Sequence, residues 1–166
     1  ENAYTCTAKS PPGVAPLAAP LAAGALGVAA AAASVFAGSA LDASALGALV
    51  FGEPGADAVA ARLGGGHMTA PVLIRFELAN ICLKKLKAHP SLEKKLLEAH
   101  ALADRIGIQL TDVDHREVIL LAKKSGLSAY DASYLWLALR LRAELITLDI
   151  KLKAAAARLG ILVRDE

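Results

Sequence analysis

The chain has 166 residues, 55% of them apolar and 20% charged, with a formal net charge of +2. That is the length of one domain with enough apolar side chains for a core, which excludes a largely disordered chain. Two cysteines, Cys6 and Cys82, exclude a disulfide-stapled secreted scaffold, and the charge is too small to signal nucleic-acid binding by itself.

The first forty residues differ from the rest. Fifteen are alanine, Pro11, Pro12, Pro16 and Pro20 punctuate them, and no charged residue stands between Lys9 and Asp42. The eighteen residues 21–38 contain only Ala, Gly, Leu, Val, Ser and Phe. A membrane span needs roughly 20 apolar residues and basic flanks, and this run has a borderline length and no such flanks. A signal peptide needs a basic start, and only Lys9 precedes the run, although Ala37-Gly38-Ser39-Ala40 resembles a cleavage site. The favoured reading is an Ala/Pro-rich low-complexity extension over 1–40, disordered or helical, ahead of a folded domain over 41–166. No stable membrane partner is expected.

Along that domain the pattern alternates strands and helices. Residues 35–41 read as a first strand, weakened by Ala37-Gly38-Ser39. Residues 45–51 and 56–63 read as short helices, the second broken by the linker Gly64-Gly65-Gly66. A helix over 73–87 stops at His89-Pro90. Ser91 is the expected N-cap of the next helix, with Leu92, Leu96, Ala99, Ala103 and Ile106 on one face. A strand over 108–113 precedes a helix over 115–124 that ends at Gly126, and a helix over 130–143 follows. A strand over 144–148, a helix over 151–159 closed by Gly160 and a strand over 161–164 complete the chain. Strands separated by helices predict an α/β fold of three α/β/α layers around a mainly parallel sheet. Ligands in such folds sit beyond the carboxyl ends of the strands.

The informative residues are acids in apolar places. Asp42 ends the first strand and Asp149 ends Leu145-Ile146-Thr147-Leu148. Glu77 has Leu73 and Ile81 four residues to either side, and Asp131 shares a helix face with Leu135 and Ala138. A buried carboxylate costs several kcal/mol unless it is neutralised, paired or bound to a metal. Each has a local alternative: a turn or cap for Asp42 and Asp149, an N-cap for Asp131, and Arg75 or a lysine as partner for Glu77. Their combination in one small sheet domain favours a shared site.

Four segments resemble the motifs of PIN domains: Leu41-Asp42-Ala43-Ser44-Ala45-Leu46, Phe76-Glu77-Leu78-Ala79-Asn80, Ser128-Ala129-Tyr130-Asp131-Ala132-Ser133-Tyr134 and Leu145-Ile146-Thr147-Leu148-Asp149-Ile150-Lys151-Leu152. Their order matches the family, with the later acids 35, 89 and 107 residues after Asp42. The likeness is greatest to the VapC-type toxins of toxin–antitoxin pairs. The resemblance implies a magnesium-dependent RNA endonuclease in which Asp42, Glu77, Asp131 and Asp149 hold one or two Mg²⁺ or Mn²⁺ ions. It also implies an RNA substrate, a homodimer, a cognate antitoxin over the acidic pocket and a cytoplasmic location. Oxygen ligands suit such hard cations. Ser44 and Thr147 stand where they could orient a carboxylate or a water.

The remaining residues add little. Residues 42–166 hold 17 Lys and Arg against 15 Asp and Glu, so a metal site that absorbs four acids leaves a basic surface. Lys84, Lys85, Lys87, Lys94 and Lys95 form one basic group, and Arg140, Arg142, Lys151, Lys153 and Arg158 a second. Tyr130, Tyr134 and Trp136 are candidates for stacking on bases, with Trp136 better suited to the core. The four histidines show no zinc spacing with Cys82, and no GxxxxGK loop is present. Two other readings stay open: a haloacid-dehalogenase-like phosphatase with Asp42 as nucleophile, which lacks the usual second acid at Ser44, and a non-catalytic RNA- or protein-binding module.

Overall fold

The structure, a computed structural model, describes residues 38–63 and 66–163. The extension expected over 1–40 lies outside these residues up to position 37, as do Gly64, Gly65 and Arg164. Strand β1 (Gly38–Leu41) leads into α1 (Ala43–Phe51) and α2 (Ala56–Leu63). Strand β2 (His67–Pro71) is followed by α3 (Ile74–Ala88) and α4 (Glu93–Leu102). Strand β3 (Ile108–Thr111) precedes α5 (His115–Ser125) and α6 (Ala129–Leu141), and β4 (Glu144–Ile146) precedes α7 (Ile150–Arg158). The four strands form one parallel sheet in the order β3-β2-β1-β4, as an α/β chain with helical crossovers should. Helix α6 packs on β1, β2 and β4 with α5 and α7 beside it, while α1 packs against α2, α3 and α4. Among the described residues no helix is long and apolar enough to cross a membrane.

Because β1 is paired on both sides, it lies at the centre of the sheet, and Ala40 and Leu41 are fully buried. The small residues that make β1 a weak strand by propensity are required by its surroundings. A Cβ on Gly38 would stand 2.7 Å from the carbonyl oxygen of His67 on β2. Tertiary pairing thus overrides β-propensity at this position.

Five expectations from the sequence need correction. Strand β2 was not foreseen, because His67-Met68-Thr69-Ala70-Pro71 has no Val or Ile, follows three glycines and ends in proline. It is a strand because β1 and β3 hydrogen-bond it from both sides, and Pro71 is tolerated at its last position. Ser91 does not cap α4; Pro90–Leu92 forms a 3₁₀ turn and Leu92 precedes the helix without a side-chain cap. Helix α4 then stops at Leu102, so Ala103 lies in a second 3₁₀ turn, Ala103–Arg105, and Ile106 follows it. Residues 161–163 are not a strand, although Leu145 N–H donates to the Leu162 carbonyl at 3.0 Å. Strands β3 and β4 end earlier than expected, at Thr111 and Ile146, because the following residues turn toward the helices.

Replacing Gly38 by Ala must push β1 and β2 apart. A loss of about 1–3 kcal/mol in urea unfolding is expected. A change within about 0.5 kcal/mol of the parent would show that the two strands do not need this approach.

Candidate functional site

All four strands point their carboxyl ends to one edge, and the acids gather there. Asp42 follows β1 directly and is 5% exposed. It is the N-cap of α1: Ala45 N–H donates to its Oδ1 at 3.1 Å. Ser44 Oγ donates to the same oxygen at 2.7 Å. Ser44 Oγ also accepts from Leu148 N–H at 2.9 Å and lies 3.4 Å from Thr147 Oγ1, which accepts from Asp149 N–H at 3.0 Å. Two hydroxyls therefore tie the end of β1 to the segment after β4. Burial pushes the Asp42 carboxyl up to about 6, and its hydrogen bonds to Ser44, Ala45 and Thr147 oppose that shift without cancelling it.

Glu77 lies in the first turn of α3, which follows β2. It is half-buried, and the hydroxyl of Tyr134 donates to its Oε2. Burial raises the Glu77 carboxyl above its ordinary range, the Tyr134 bond lowers it, and the charges of Asp42 and Asp131 raise it further. Tyr134 is itself 1% exposed, so it is a core residue and cannot stack on a base. Its hydroxyl is held far above the ordinary phenol range by burial first, then by the Glu77 bond and the charges of Glu77, Asp42 and Asp131. Asp42, Glu77 and Asp131 are thus within electrostatic reach of one another around this hydroxyl.

Asp131 stands in the first turn of α6 and is not its N-cap. Ser128 caps the helix: Asp131 N–H donates to Ser128 Oγ at 3.1 Å, and Ser128 Oγ donates back to Asp131 Oδ2 at 2.8 Å. Asp149 is exposed and caps α7, accepting from Leu152 N–H through Oδ1 at 2.8 Å. Its backbone joins the Ser44–Thr147 network, while its carboxylate adds nothing to the charge that acts on Glu77 or Tyr134.

Among the described residues no basic side chain offsets the charge of Asp42 or Glu77. The lysine foreseen as a partner for Glu77 is not there: Lys85 pairs with Glu53 and lies 5.4 Å from the Phe51 ring centre, joining α3 to α1. Among the described residues no three acidic, histidine or cysteine side chains stand at ligating distance of one point. Tyr134 and Ser128 hold Glu77 and Asp131 at the start of α6, while Leu152 N–H holds Asp149 at the start of α7. The donor set nonetheless fits a divalent cation. It consists of carboxylate oxygens that repel one another, one of them almost out of water, and a hard cation would relieve all of this at once.

The other singled-out residues fall in different places. Trp136 Nε1 donates to Glu117 Oε2 at 2.6 Å and ties α6 to α5. Cys82 is a buried free thiol, and burial pushes it up. Tyr130 is 67% exposed. The residue missed as part of the acidic group is Tyr134; its position three residues after Asp131, on one helical face, was the available signal.

Asp42 gives the metal-free protein a definite pH dependence. Its carboxyl titrates near 6 when folded against 3.8 unfolded, so the folded state binds more protons and stability falls as pH rises between about 4 and 6. Asp42→Asn removes this contribution. In EDTA, wild type should lose about 2–3 kcal/mol relative to the variant between pH 4 and pH 7. Denaturant titrations at the two pH values measure it, and a constant gap would mean that Asp42 is not desolvated.

Three comparisons bear on this arrangement. A family model described as PIN domain matches residues 40–158. The crystal structure of PAE2754 from Pyrobaculum aerophilum superposes with a TM-score of 0.55 at 23% identity, covering 76% of this chain and 90% of that one, which shows a shared fold. No curated protein matches the chain.

Proposed function

The chain belongs to the PIN domain family, and from that premise we propose that it is a metal-dependent endoribonuclease that acts as the toxin of a toxin–antitoxin pair. PIN domains are generally metal-dependent nucleases, and one observation carries the reading to this chain. Asp42, Glu77 and Asp131 stand at the carboxyl edge of the sheet, where burial raises the first two, the charges of Asp42 and Asp131 act on Glu77, and no cation among the described side chains offsets this. The motifs around all four acids are closest to the VapC type, which supports RNA as substrate, a homodimer, an antitoxin over the acidic edge and a cytoplasmic location.

Asp42, Glu77 and Asp131 would hold Mg²⁺, with Mn²⁺ able to substitute, and Asp149 would join them from the rim. The bound ion would lower the pKa of a water and neutralise charge on the attacked phosphate. The chain's own residues set the geometry. Ser44 fixes Oδ1 of Asp42, Ser128 fixes Oδ2 of Asp131, and Tyr134 fixes Oε2 of Glu77. Each carboxylate therefore enters the reaction with one oxygen already oriented, which reduces the ordering needed on binding.

The decisive experiment is incubation of total tRNA and rRNA with the purified protein in Mg²⁺ or Mn²⁺, beside EDTA and Asp131→Asn controls. Cleavage that needs metal and vanishes in the variant is expected. Absence of metal binding by calorimetry would sink the catalytic reading.

Tyr134→Phe checks the orienting hydrogen bond. It should weaken Mn²⁺ binding several-fold at acidic pH, because Glu77 then holds its proton more tightly, and the loss should shrink as pH rises. Equal affinity of variant and parent across an acid-to-neutral pH series would show that Glu77 is not a ligand.

A further inference from the structure

The most exposed large apolar side chains among the described residues lie beside the acids. Ile150 is 81% exposed, Phe76 76% and Tyr130 67%, and they are the chain neighbours of Asp149, Glu77 and Asp131. Beside Tyr130 opens a cavity of about 430 Å³, within the 300–1,000 Å³ range of small-ligand pockets. Pro71 and Val72 from the end of β2 and Thr111 and Asp112 from the end of β3 line it, together with His115 and Tyr130. It therefore opens at the same sheet edge as the carboxylates, one residue from Asp131.

The chemistry of its wall selects the occupant. No lysine or arginine lines it, so the permanent positive charge that a phosphate site needs is lacking there. Most of the wall is apolar, an aromatic ring stands at its mouth, and one carboxylate, Asp112, supplies an acceptor. A flat neutral ring with N–H donors on its edge meets all three conditions. Unpaired bases are held by proteins in this way, with the face against an aromatic side chain and the edge against polar groups. An ionised Asp112 is an acceptor that cannot donate, so it favours a base that carries an exocyclic amino group over uracil.

We propose that this cavity is a base-binding subsite, in which Tyr130 stacks against one unpaired nucleobase and Asp112 accepts from its amino group while the adjoining phosphate lies at the carboxylates. The proposal rests on the endoribonuclease reading and adds to it the residues that select where the RNA is cut. Discrimination then resides in the cavity and chemistry in the acids, with Tyr130 and Asp131 adjacent in the first turn of α6.

The test uses the full chain carrying Asp42→Asn, which removes cleavage, and fluorescently labelled 12-residue oligo(C), oligo(A) and oligo(U) read by anisotropy. Adding Tyr130→Ala should weaken oligo(C) and oligo(A) binding at least fivefold, while Tyr130→Phe stays within twofold of the parent. Oligo(U) should bind more weakly than the others, and Asp112→Asn should narrow that gap. Leu97→Ala, an exposed apolar change on α4, should leave binding unchanged. Parent-like affinity of Tyr130→Ala would overturn the subsite and leave the nuclease reading standing, as would occur if the cavity takes a protein side chain instead. Failure of the parent to bind any oligonucleotide would overturn both.

Discussion

The carboxyl group of Asp42 is held almost out of water at the end of the central strand, and much of the local structure exists to keep it there. Its Oδ1 receives a backbone N–H that starts α1 and a hydroxyl from Ser44. Its own N–H continues the ladder to Ile146 on β4. Ser44 in turn takes the N–H of Leu148, and Thr147 takes that of Asp149. A helix start, a strand pairing and the exit from β4 therefore meet around one acid. Capping and ligation are often treated as competing roles for an aspartate, but here a cap bond to one oxygen orients the whole carboxylate.

The same arrangement carries an energetic cost. Asp42 and Glu77, both raised by burial at one edge, oppose folding at neutral pH. The compensation comes from a core built around fully buried Leu41, Leu135, Leu145, Ile146 and Leu152. Tyr134 belongs to both groups, since its ring packs in the core and its hydroxyl reaches Glu77. A core residue thus transmits the rigidity of the sheet to a side chain at the edge.

The class of fold and the acids were legible because both have local signatures. Alternation of helical and strand-like segments announces a parallel sheet, and an acid after a strand or on an apolar helix face stands out against its neighbours. What was illegible depends on partners distant in sequence. Strand β2 is a strand through β1 and β3, not through its own five residues. Tyr134 meets Glu77 across 57 residues of chain, so its spacing from Asp131 hints at the edge but does not name Glu77 as its partner. Ser91 had the right chemistry for a cap, but Pro90 begins a 3₁₀ turn that displaces the helix start past it. Residues 161–163 look like a strand and contribute one sheet-edge hydrogen bond without joining the ladder.

Helix α4 buries none of its residues, and its apolar side chains Leu97 and Leu102 are about half exposed. A segment with so few buried contacts opens at a small fraction of the global unfolding free energy. Glu77 stands in the first turn of α3, at the opposite end of that helix from the turn into α4. Transient opening of α4 can therefore occur while the acids remain in register.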